Sequence, residues 1–164
     1  MSEERDGARI LAPPPVLFVA ALGLGLAVDW LSASNVTAMA PAMPRWIVAA
    51  VLAIGGGILG VLGIVDFLRA GTTPHPGHAA SALVTSGVYR FVRNPMYVGL
   101  VALLLAIGLA VPGDGLVLAA AALGVVLHHG VVRPEERYLE RRFGDAYRAY
   151  RDAVPRYGWP RHRR

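Results

Sequence analysis

The chain has no cysteine. Disulfides, thiolate nucleophiles and Cys-based zinc sites are therefore excluded. Lysine is absent too: all 16 basic residues are arginines, set against 11 acidic ones for a formal charge of +5. What the 164 residues do contain is apolar side chains, at 55% and a mean hydropathy of +0.48, above the usual soluble balance. These side chains are blocked into long runs rather than spread at helical or strand spacing. Runs of that kind read as bilayer spans in a single all-α integral membrane domain. An arginine excess can also mark a nucleic-acid binder. Here the arginines cluster at the ends of apolar runs, where they meet anionic lipid headgroups, so membrane lipids and not nucleic acid are the expected partners.

Four spans are predicted, at about 15–31, 46–65, 96–111 and 115–132. Each approaches the ~20 residues needed to cross ~30 Å of hydrocarbon. The third is short, and residues 88–97 are expected to extend it. Pro112-Gly113-Asp114-Gly115 leaves room only for a tight antiparallel hairpin between the third and fourth. Arg69, Arg90 and Arg93 lie between spans two and three, and ten arginines follow from Arg133 onward. The positive-inside rule puts both regions in the cytoplasm of what reads as a bacterial inner membrane, with Trp30 and Trp46 at the outer interface. Arg5, Arg9, an apolar run and Ala38-Met39-Ala40 imitate a signal peptide. The acidic Glu3, Glu4 and Asp6 and the interruption at Asp29-Trp30 argue for retention of this segment. Gly56 and Gly60 form a small-xxx-small pair, expected to serve packing within the chain rather than dimerisation.

Polar density gathers on the arginine-rich side, in residues 66–97 and 133–157. His75 and His78 sit among prolines with few carboxylates nearby, and the adjacent His128 and His129 point in different directions. Neither pair makes a credible metal or heme site. Asn94-Pro95 reads as the N-cap and first position of a helix, whose free N–H groups suit a carboxylate or phosphate. Arg93 and the bracketing Tyr89 and Tyr97 have no such structural explanation. Glu135-Glu136 after Pro134 suits a helix first turn, yet two carboxylates among arginines also suit an ammonium or ribose hydroxyls. From Glu135 to Ala153 one amphipathic helix is predicted, with a stripe of Leu139, Phe143, Ala146, Tyr147, Tyr150 and, just beyond, Val154. It would lie on the membrane surface or close as a lid over the Tyr89–Tyr97 turn.

The stretch Leu83-Val84-Thr85-Ser86-Gly87-Val88-Tyr89 through Arg93-Asn94-Pro95-Met96-Tyr97-Val98-Gly99 resembles a known family when joined to three later blocks. These are Glu135-Glu136, Phe143-Gly144-Asp145-Ala146-Tyr147 and Val154-Pro155-Arg156. The family is that of isoprenylcysteine carboxyl methyltransferases and their phospholipid N-methyltransferase relatives, and the resemblance covers roughly the C-terminal half. It implies S-adenosylmethionine as cofactor, contacted by Leu83, Val84, Tyr89, Asn94, Pro95, Met96, Tyr97 and Glu135. It also implies Arg93, Arg133 and Glu136 as catalytic residues, and a lipidic or small hydrophobic acceptor reaching the site laterally between helices. Carboxyl O-methylation is the first expectation. Phospholipid or small amine/thiol methylation, and a non-catalytic binding or transport protein of the same fold, are the alternatives. Asn94 stands where the prenylcysteine enzymes have histidine; the Asn-Pro-Met-Tyr turn is closer to the phospholipid enzymes.

Overall fold

The computed structural model describes residues 7–32, 36–73 and 79–158, and among these residues all regular structure is helical. Its helices are α1 (Pro14–Leu31), α2 (Ala42–Arg69), α3 (Pro95–Ala110), α4 (Asp114–Leu127), α5 (Arg133–Phe143) and α6 (Asp145–Ala153). Three apolar helices are long enough to cross a membrane: α1, α2 and the continuous helix Asp114–Phe143. The fourth apolar helix, α3, has 16 residues and reaches about 24 Å at 1.5 Å per residue. The four pack in the order α2–α3–α4–α1. Leu104, Leu116, Ala120, Leu123 and Leu127 form the core between α3 and α4.

In lipid, apolar burial does not drive helix association, so close backbone approach and polar caps must hold the bundle. Between α2 and α3 the approach is made by glycine. A Cβ on Gly99 would stand 2.5 Å from the Gly56 carbonyl oxygen, and one on Gly56 would stand 3.0 Å from the Gly99 carbonyl oxygen. The Gly56 motif thus serves packing within the chain. At the end away from the arginines, aspartates tie the elements. Asp29 on α1 accepts from the first-turn N–H groups of α4, Gly115 at 2.6 Å and Leu116 at 3.2 Å. Asp114 accepts from the N–H groups of Val36 and Thr37, both at 2.8 Å, so the α1–α2 connection is fastened where it crosses the α3–α4 turn.

Three expectations are corrected. Of residues 88–97, only 95–97 belong to α3; residues 88–94 do not extend it. Gly87, at φ +59°, turns the chain into a separate 3₁₀ turn (Gly87–Arg90). A side chain there would run into the Asp66 carboxylate, which accepts the Val88 N–H at 2.8 Å. Secondly, no helix starts at Pro134: α4 runs through a π turn (His128–Val132) into α5. Proline offers no N–H to the carbonyl four residues back, and that carbonyl, Gly130, accepts instead from the Leu11 N–H at 2.8 Å. Thirdly, the single helix over 135–153 is broken at Gly144, at φ +55°. The break rephases the expected stripe, so that Ala146 is exposed while Tyr147 is buried.

Candidate active site

The short α3 creates the site. Its first residues, Pro95 and Met96, pack at the level of Gly63, while α2 continues to Arg69, about 9 Å further. The space left beyond the α3 N-terminus is roofed by residues 79–90, α5 and α6. The cavity so enclosed holds about 60 Å³. Phe67 of α2, Leu83, Val84 and Tyr89 wall one side; Met96 and Tyr97 form the floor. Glu135, Glu136, Tyr138 and Leu139 of α5 and Tyr147 and Tyr150 of α6 close the other side.

Arg93 is the hub. Its N–H donates to the Pro155 carbonyl at 3.0 Å and its Nε to the Val154 carbonyl at 3.0 Å. Its Nη1 donates to Glu136 Oε1 at 2.7 Å and to the Tyr147 hydroxyl at 3.1 Å. Glu136 is also held by Arg156, through Nε at 2.9 Å and Nη2 at 2.5 Å. Two guanidiniums therefore neutralise Glu136, and charge-assisted bidentate bonds of this kind are among the stronger polar contacts. Glu135 is in a different position one residue away. Its polar partner is the Tyr97 hydroxyl, which donates to Oε2 at 2.9 Å. Lying beyond the apolar run of α4, Glu135 has its carboxyl pushed up from the usual range to about 7 by burial and by neighbouring Glu136, against the pull of the Tyr97 bond. Burial likewise raises the phenols of Tyr89 and Tyr150, and that of Tyr147 to about 12.

Of the residues expected from sequence, Leu83, Val84, Tyr89, Arg93, Asn94, Met96, Tyr97, Glu135 and Glu136 come together around this cavity. Pro95 is buried behind it, against Gly63. Arg133 is not part of it: it is exposed, with Nη1 3.4 Å from His129 Nδ1. Asn94 does not cap α3 with its side chain; its Nδ2 donates to the Arg156 carbonyl at 3.3 Å. His128 and His129 meet edge to face, with His128 Nδ1 2.8 Å from the Tyr157 hydroxyl; His75 and His78 lie outside the described residues. Sequence reasoning assigned no site role to Phe67, Tyr138, Tyr147, Tyr150 or Arg156. The apolar stripe contained Tyr147 and Tyr150, but nothing in it distinguished lining from core.

Among the described residues, two buried polar atoms of residues that line this cavity have no hydrogen-bond partner: the Tyr89 hydroxyl, which lies against α2 at Gly63, and Arg93 Nη2. Such orphans are costly unless a ligand satisfies them. Free donors beside one uncompensated carboxyl, within aromatic and aliphatic walls, fit a zwitterionic cofactor. The donors would hold its carboxylate, the tyrosine faces its cationic groups, and Leu83, Val84 and Phe67 its flat base.

A membrane-embedded helical bundle with a largely apolar cavity holding a few charged groups at the end of its spans is the class that fold and site define. The family model for phospholipid methyltransferases matches residues 44–146, more than half of the chain and every expected site residue, and the protein belongs to that family. Membership makes it a membrane methyltransferase, of a family that generally uses S-adenosylmethionine. No curated protein and no solved structure matches the chain.

Proposed function

We propose that the protein transfers a methyl group from S-adenosylmethionine to the amine of a lipidic acceptor, with the site on the cytoplasmic side of a bacterial inner membrane. The observation that carries this reading is the contrast between two adjacent carboxylates. Glu136 is spent on Arg93 and Arg156, whereas Glu135 faces the cavity with one phenol as its hydrogen-bond partner. A buried carboxylate without a countercharge favours a cation beside it, and one whose pKa lies near 7 is suited to take a proton from an ammonium.

When bound, S-adenosylmethionine supplies a methyl already activated by its sulfonium charge. The protein's residues then have three tasks. Glu135, oriented by Tyr97, accepts the ammonium proton and frees the nitrogen lone pair. Arg93 Nη2 and the Tyr89 hydroxyl hold a carboxylate. Tyr147 and Tyr150 keep water out, since methyl transfer depends mainly on in-line positioning in a dry site. Carboxyl O-methylation is the second reading: its acceptor carboxylate needs no base, which leaves Glu135 to the cofactor's ammonium.

Purified protein in lipid nanodiscs, methyl-labelled S-adenosylmethionine and a total lipid extract separate the readings. Label in the lipid fraction that survives mild alkali marks N-methylation. Label released as methanol marks an ester and the second reading. No transfer to any lipid by folded protein overturns both.

A further inference from the structure

The cavity is too small for what it is built to bind. Sites for drug-sized molecules and cofactors run to about 300–1,000 Å³, against about 60 Å³ here, so a wall must move. Residues 145–157 are the wall whose attachment is mostly polar. They begin after Gly144, the positive-φ break between α5 and α6, and α6 keeps only Tyr147 buried, with Val154 following it. The rest of their attachment is polar: buried Arg93 donates to the Val154 and Pro155 carbonyls and the Tyr147 hydroxyl, and Arg151 pairs with Glu140 of α5. Tyr150 donates to the Tyr89 carbonyl at 2.7 Å, Asn94 to the Arg156 carbonyl, and Arg156 to Glu136. The Arg156 side chain is 33% exposed, so water can reach its bonds to Glu136, as it does in the low-stability segments of many proteins.

Resting on the cofactor reading above, we propose that residues 145–157 form a latch that swings on Gly144 to admit the cofactor, with Arg156 as its catch. The unpartnered Nη2 belongs to the residue that holds the latch, Arg93. A carboxylate bound there joins the fixed floor to the moving wall and favours closure. Arg156 is thus a positioning residue: it holds the closed state without touching the reacting atoms.

The absence of cysteine permits spin labels at Leu68→Cys and Ala149→Cys, both exposed, in the full chain. With the latch, Arg156→Ala broadens the label distance toward longer values, Arg156→Lys partly restores it, and S-adenosylhomocysteine narrows it. Labelled S-adenosylhomocysteine also dissociates about tenfold faster from Arg156→Ala and associates faster as well, which general damage to the site does not cause. An unchanged distance distribution with unchanged rates overturns the latch and leaves the cofactor reading standing. Broadening in Arg156→Ala with no binding by the wild type supports the latch and removes the cofactor reading.

Discussion

Replacing Glu135 with glutamine should inactivate the protein and stabilise it, with a pH dependence fixed in advance. Burial lifts this carboxyl from 4.5 to about 7. The folded protein therefore keeps the Glu135 proton up to about pH 7, whereas the unfolded chain releases it near 4.5. Between those values the folded state binds more protons, so rising pH favours unfolding, and above about 7 the full penalty is present. A difference of that size corresponds to about 3 kcal/mol at most. Glutamine retains an oxygen for the Tyr97 hydroxyl and removes the charge. Unfolding of wild type and Glu135→Gln in mixed detergent micelles, followed by circular dichroism from pH 4 to 9, should show near-equal stability at pH 4. The variant's advantage should grow between pH 4.5 and 7 and level off above. A difference flat with pH, or a variant that loses stability as pH rises, refutes the idea that Glu135 is buried without a countercharge. A stabilised variant that still methylates refutes its role as proton acceptor.

Tyr97→Phe removes the bond that pulls the Glu135 carboxyl down, so the rising limb of the pH–rate profile should move to higher pH. Gly99→Val places a side chain against the Gly56 carbonyl and should cost about 1–3 kcal/mol by forcing α2 and α3 apart; Gly55→Ala, which meets nothing within 4 Å, should stay within about 0.5 kcal/mol. Thermal unfolding in detergent checks both. Asp29→Ala strips the first turn of α4 of two hydrogen bonds and should cost about 1–2 kcal/mol in the same measurement, without changing the pH–rate profile.

Much was settled by sequence alone, because it depends on neighbours a few residues away. Apolar runs of spanning length, the tight turn at Pro112-Gly113, Pro95 opening a helix and the arginine asymmetry are local properties. The motif turn and the glutamate pair were likewise legible as the polar centre of the chain. Local reasoning failed where a distant partner intervened. Pro134 looked like a helix start, yet Leu11, more than a hundred residues earlier, takes up the carbonyl that Pro134 leaves unbonded. Asn94 looked like a cap, yet its amide serves the Arg156 carbonyl.

The roles of the charged groups belong to the tertiary structure. Glu135 and Glu136 are identical in sequence terms, and one step of about 100° around a helix sends one to a phenol and the other to two arginines. Arg93 and Arg133 looked equally able to meet a ligand; one is enclosed by three segments and the other faces outward. A side chain's charge is fixed by its identity, but whether that charge is free for chemistry depends on which groups, 20 to 60 residues away, are folded against it.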